Sequence, residues 1–206
     1  MKTASTHHSE EPRRPVQRLH ELVDTLVGKT FKASDYPCKR GCQWCCYLVA
    51  DCCLDEATEV ELAIRDLDRA TRKQIHDQEK RWYRLHGETD KRRLLIATAF
   101  RDGTLMSFVS EHARLCEAHF HLGLRNKVAC PYLIGGECSV YHSRPVTCRD
   151  SYPHNVTDPE NCKDPSTGIS GIIHKDLVAM GESCGVDITN QSRLPDQVKA
   201  ARLRLK

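Results

Sequence analysis

The chain has 206 residues, 39% of them hydrophobic and 29% charged, which suits one globular domain with a core of its own. No apolar run approaches the roughly 20 residues of a membrane span, so a membrane protein is excluded and a soluble one expected. The net charge of +3 is unevenly spread: residues 190–206 hold Arg193, Lys199, Arg202, Arg204 and Lys206 against Asp196 alone, so the whole positive excess sits at the C-terminal end.

In chain order, residues 1–14 are polar and aperiodic, and a disordered tail is expected there, with His7 and His8 as a flexible surface pair. From Pro15, the pattern Val16, Leu19, Val23, Leu26, Val27 predicts an amphipathic helix that stops at a C-terminal glycine, Gly28. Its expected task is to cover the cysteine-rich stretch that follows, with Phe31 and Tyr36 packed between them. After Cys53 the chain reads as helical. Asp55 is the expected cap of one long helix carrying Val60, Ile64, Leu67, Ile75, Trp82 and Leu85 at spacings near 3.6 up to Gly87. Its other face alternates cations and carboxylates, the pattern of a solvated surface rather than of a nucleic-acid site.

Two further helices are predicted over 91–100 and 104–122, the second ending at Gly123. His112, Cys116 and His119 share a face of that helix, where they read as core packing. Residues 150–168 have loop composition and include Cys162, read as an exposed thiol. A short helix over 170–180 ending near Gly181 and a basic helix over 195–206 complete the chain. The predicted fold class is mostly α. It is a small irregular helical domain over 15–189 with a helical middle at 55–122, stapled by a cysteine-rich metal or iron-sulfur site and followed by a basic tail or helix at 190–206.

Cysteine usage carries the chemistry. Cys38, Cys42, Cys45, Cys46, Cys52 and Cys53 fall within sixteen residues, and no other cysteine precedes Cys116. A disulfide framework, a redox-active pair and a metal site all use clustered thiols. The N-terminus has no apolar region to direct export, so the expected compartment is the cytoplasm, where clustered thiols favour metal over disulfides. Cys38-x3-Cys42-x2-Cys45 puts three sulfurs on one short loop, and Gly41 frees that loop to converge. The remaining ligands are sought in a second block, Cys130, Cys138 and Cys148, which also contains a Gly135-Gly136 turn and Pro145 on the approach to Cys148.

Together the two blocks, Cys-x3-Cys-x2-Cys-Cys and Cys-Pro-Tyr-Leu-x4-Cys-Ser-Val-Tyr-x2-Arg-Pro-x2-Cys-Arg, resemble the YkgJ-type cysteine-cluster family, described as a domain that chelates zinc or iron. A related cysteine arrangement occurs in the flagellin lysine N-methylases. The resemblance covers residues 36–152 in outline. It implies Cys38, Cys42, Cys45, Cys46, Cys130, Cys138 and Cys148 as metal ligands, and it gives Cys52, Cys53, Cys116, Cys162 and Cys184 no role. Arg144 and Arg149, with Lys39 and Arg40, lie beside these ligands in sequence, where cations would offset the charge of several thiolates and contact the cofactor.

Soft all-sulfur ligation admits zinc or an iron-sulfur cluster. Three ligands on one loop with others far away is closer to cluster spacing than to paired zinc hairpins, so the balance leans to iron-sulfur. Cys38-x3-Cys42-Gln43-Trp44-Cys45 also matches the Cys-x3-Cys-x-aromatic-Cys signature of radical S-adenosylmethionine enzymes, but the strand-helix alternation of their barrel is absent. The functional expectation is a metal-binding protein with a structural, redox or metal-delivery role. The alternative is an iron-sulfur enzyme related to the radical or the lysine-methylase group. The basic C-terminal end is the expected contact for a protein partner; no nucleic-acid or membrane partner is indicated.

Overall fold

A computed structural model describes residues 14–30, 43–47, 50–87, 121–149 and 174–206. The expectations for the tail before residue 14, for Phe31 and Tyr36, for Cys38 and Cys42, for the helix over 91–100, for His112, Cys116 and His119, and for the loop with Cys162 fall outside those residues.

The described residues are mostly helical, as predicted. Helix α1 spans Pro15–Thr30 and opens on the proline, whose fixed φ and missing N–H suit a first helical position. Val16, Leu19, Val23 and Val27 form its buried stripe, while Leu26, counted in that stripe from sequence, is 36% exposed. Gly28 does not end the helix; it lies inside it, with nothing within 4 Å of the place where a Cβ would stand.

The expected long helix is two. Helix α2 runs over Leu54–Asp66 and α3 over Arg69–His86. Leu67 turns extended at φ −73°, ψ 156°, and Asp68 then caps α3, accepting from the N–H groups of Ala70 (2.8 Å) and Thr71 (2.9 Å). An aspartate offers the backbone this alternative to a continued helix, and here it prevails over the unbroken apolar period. At the other end, the N-cap of α2 is Cys53 rather than Asp55. Its N–H donates to Glu56 Oε2 at 3.0 Å, the carboxylate half of a capping box.

A helical stretch over 121–126, α4, closes at Lys127 with φ 51°. Next come a hairpin of β2 (Leu133–Ile134) and β3 (Glu137–Cys138), a 3₁₀ turn at Tyr141–Ser143, and the single turn α5 at Val146–Arg149. Helix α6 spans His174–Cys184, and α7 spans Leu194–Arg204. The expected stops at Gly123 and Gly181 both fall inside helices. In each case the helix ends four residues later, at Lys127 and Gly185 (φ 75°), and the next N–H returns to the glycine carbonyl: Val128 to Gly123 at 2.9 Å, Val186 to Gly181 at 2.8 Å. A side chain at Gly181 would meet the Val186 carbonyl oxygen at 2.7 Å, so glycine is needed there for close approach.

Two apolar clusters form the core. One joins α1, α5 and α6 through Val16, Leu19, Val23, Val146, Cys184 and Ile188. The other joins α2, α3 and α7 through Val60, Ile64, Ile75, Leu194, Val198 and Ala201, and takes in Cys52 and Tyr132. The basic C-terminal stretch is therefore a helix whose apolar face is part of the core. Its entry is fixed by β4 (Ser192–Arg193), which pairs antiparallel with β1 (Asp51–Cys52), Cys52 opposite Ser192. Among the described residues no helix is long and apolar enough to cross a membrane.

Candidate functional site

The second cysteine block is built by its turns. Gly135 (φ 59°) and Gly136 (φ 84°) supply the two positive φ angles of a two-residue hairpin, and Leu133 pairs with Cys138. The hairpin's open end carries Cys130 and Cys138. It is tightened by Leu133 N–H donating to Cys130 O (3.1 Å) and by Ser139, whose N–H and hydroxyl both donate to Tyr132 O (2.8 and 2.9 Å). Pro145 then starts α5, with Cys148 N–H donating to Pro145 O at 2.9 Å.

The described part of the first block is a 3₁₀ turn, Trp44–Tyr47, which carries Cys45 and Cys46. Among the described residues one backbone hydrogen bond joins the two blocks directly: Cys130 N–H donates to Cys46 O at 2.7 Å. That bond brings Cys46 and Cys130 together from distant parts of the chain, Cys45, Cys138 and Cys148 lie within electrostatic reach of them, and all five are free thiols.

Burial and mutual influence shift the acidity of each thiol. The hydrogen bond from the Cys46 thiol lowers Cys45 to about 7, against burial and with help from the Arg144 guanidinium. Cys46 is driven far up, first by giving that bond, then by burial and by the charges of Cys45, Cys130 and Cys148. Burial pushes Cys130 up to about 12, with Cys138 and Cys45 adding to the rise. Burial, then Cys130, Cys45 and Cys138, raise Cys148 well above its ordinary value. Cys138 is raised by burial and eased by Arg144. Arg144 thus acts on Cys45, Cys138 and Cys148. Its guanidinium lies 4.2 Å over the Tyr141 ring, and its buried Nε has no hydrogen-bond partner among the described residues.

Arg149, expected beside the same centre, has donors engaged by other partners. Its Nε donates to Arg144 O at 2.8 Å, its other nitrogens donate to His142 O and Asp24 Oδ2, and the side chain clamps the 142–149 turn to α1. Of the other thiols, Cys52 is wholly buried beside the site, its acidity weakened by burial, by Glu56 and, more faintly, by Cys148. Cys53 and Cys184 pack in the other cluster as small hydrophobes. Sequence inspection missed Glu56 and Thr147. Glu56 is 1% exposed, and its Oε1 accepts from Val146 N–H at 2.7 Å; Thr147 Oγ1 donates to Asp51 O at 2.6 Å. The only sequence signal for Glu56 is its place three residues after the Cys53 cap, and that signal says nothing of Val146.

Five thiols that influence one another, four of them partly withdrawn from water and three of them eased by Arg144, offer the soft sulfur donors that zinc or an iron-sulfur cluster takes. Among the described residues no group of three or more Cys, His, Asp or Glu side chains is assembled so as to hold a metal ion. Cys38 and Cys42 are not among those residues. Comparison of the chain with protein-family models, with curated proteins and with solved structures found no match.

Proposed function

We propose that this chain is a metal-binding protein whose two cysteine blocks hold one centre through Cys38, Cys42, Cys45, Cys46, Cys130, Cys138 and Cys148. The centre is an iron-sulfur cluster by ligand spacing, with zinc as the alternative that the same sulfurs accept. The observation that carries this reading is the 2.7 Å hydrogen bond from Cys130 N–H to Cys46 O, which fastens the blocks to each other at the level of the backbone. The mutual effect of the five thiols on one another's acidity supports it, as does Arg144, a cation suited to offset thiolate charge. The likeness of the two blocks to the YkgJ-type family points the same way. Such a cluster supplies one-electron chemistry or a rigid brace; a zinc ion supplies only the brace. The exposed end of α7, with Leu203, Arg204 and Lys206, is the surface offered to a protein partner.

The test is metal and acid-labile sulfide content, with the visible spectrum, of the full chain purified without oxygen. Iron and sulfide in equal amounts are expected, lost in Cys42→Ser and Cys130→Ser and kept in Cys184→Ser. Zinc without sulfide selects the brace. Absence of any bound metal, or metal content untouched by Cys42→Ser and Cys130→Ser, overturns the proposal.

A further inference from the structure

Cys148 stands in a helix of one turn, Val146–Arg149, far too short to hold its own shape. Besides the Arg149–Asp24 bond to α1, two side-chain hydrogen bonds tie that turn to the β1–α2 junction. Glu56 Oε1 accepts from Val146 N–H at 2.7 Å, the first amide of the turn, and Thr147 Oγ1 donates to Asp51 O at 2.6 Å, beside Cys148 itself. Both partners belong to the junction of β1 and α2, some ninety residues earlier in the chain.

The chemistry at Glu56 is specific to a carboxylate. Its Oε2 is committed to Cys53 N–H (3.0 Å) and its Oε1 to Val146 N–H, both in buried surroundings, so two acceptor oxygens face two backbone donors. Capping α2 needs only one of them. A glutamine keeps one acceptor and sets an NH2 group against the other N–H, which leaves a buried amide unsatisfied. His20 Nε2 lies 3.7 Å from Oε1 and faces the same carboxylate.

We infer that Glu56 and Thr147 are positioning residues of the thiol site: together they clasp the Val146–Arg149 turn to the β1–α2 junction and thereby set where the Cys148 sulfur stands relative to Cys46 and Cys130. The inference rests on the metal-binding reading above. It adds that the register of one ligand is set through hydrogen bonds to the β1–α2 junction, by two residues that are not themselves proposed ligands.

The experiment titrates the reduced, metal-free full chain with cobalt(II), following the thiolate-to-cobalt charge-transfer band. The chains compared are wild type, Glu56→Gln, Thr147→Val, Cys148→Ser and, as control, Thr58→Val, which removes an equivalent hydroxyl bond to Leu54 O (2.8 Å) within α2. Glu56→Gln and Thr147→Val are expected to weaken cobalt binding about 10- to 100-fold and to lower the band towards that of Cys148→Ser, while Thr58→Val matches wild type. In the metal-free variants, mass-mapped alkylation should label Cys148 faster than in wild type, with labelling of Cys45 unchanged. Thr147→Val leaves the α2 cap intact, so it decides the matter if Glu56→Gln fails to fold. A wild-type band retained by folded Glu56→Gln and Thr147→Val, with Cys148 no more reactive, overturns the inference alone. A wild-type chain that gives no thiolate-to-cobalt band refutes the metal reading and the inference with it.

Discussion

Replacing Arg202 with methionine tests whether the C-terminal helix is part of the core. Leu194, Val198 and Ala201 of α7 are buried at 2%, 0% and 0% exposure, and Arg202 adds polar links across the same interface. Its Nε bonds Glu61 Oε2 at 3.0 Å, and its terminal nitrogens bond Glu79 Oε2 and Oε1 at 3.1 and 3.2 Å. Arg202→Met keeps the apolar stem and removes the charge, leaving Glu61 (3% exposed) and Glu79 (6%) as buried carboxylates without their main cation. Breaking a fully buried pair from one side costs about 3–5 kcal/mol. Here the guanidinium side is 31% exposed, Glu61 retains Arg65 at 3.2 Å, and Glu79 retains the Tyr132 hydroxyl at 3.5 Å, which places the loss lower, at about 2–3 kcal/mol. With a urea slope of about 2 kcal/mol per molar, the unfolding midpoint of the metal-free chain should fall by about 1 M or slightly more. Arg204→Met, at an exposed position, should stay within about 0.5 kcal/mol of wild type. A midpoint for Arg202→Met within about 0.25 M of wild type, at unchanged slope, would refute the assignment of α7 to the core.

Two of the three misread glycines give opposite outcomes. Gly181→Ala, whose new carbon would stand 2.7 Å from a backbone oxygen, should destabilise by about 1–3 kcal/mol, whereas Gly28→Ala, in open space within α1, should stabilise by about 1 kcal/mol; thermal unfolding of both checks the sign. The pKa of Asp68 is held below its ordinary value first by the Thr71 hydroxyl and then by the Thr71 and Ala70 amides. Its folded value is depressed, so its contribution is complete above the unfolded carboxylate range and disappears as pH falls through the folded value. Asp68→Ala should therefore unfold more easily than wild type at neutral pH and converge with it in acid, and a pH-independent gap would count against the cap. Arg144→Met removes a charge that favours the Cys45 thiolate, after the larger effect of the Cys46 hydrogen bond. Alkylation of Cys45 in the metal-free chain at pH 7 should slow, by less than about tenfold, and an unchanged rate would detach Arg144 from the site.

What the sequence makes legible here is whatever depends on residues close together in the chain. The Gly135-Gly136 hairpin could be read because two adjacent glycines have few other uses between strand residues, and the stripe of α1 because its period is regular. Errors arose where one residue type serves two purposes. A glycine inside a helix that must approach another backbone looks the same as one that ends it, so Gly123 and Gly181 were given the wrong place. Asp68 lies within an apolar period that continues on both sides, and only its bonds to Ala70 and Thr71 reveal the break. Arg149 sits beside a cysteine in sequence, yet its donors are taken by Asp24, His142 and Arg144, partners that spacing does not indicate.

The acids of α2 show why the rest was hidden. Glu56, Glu59 and Glu61 look like the solvated charges of a helix surface, but all three are buried, and each ties down a different distant segment. Glu59 pairs with Arg14 at the start of the described chain (2.7 Å), Glu56 with Val146 in the cysteine-bearing turn, and Glu61 with Arg202 near the end. Apolar residues of similar size would anchor α2 in the core at least as firmly, since desolvating a carboxylate consumes much of what its partner returns. They would leave the placement of those three segments to shape alone. A carboxylate with a directional partner fixes both distance and register. The turn that carries Cys148 is accordingly tied, through Glu56 among other partners, to a segment ninety residues away, a link that the spacing of the cysteines does not indicate.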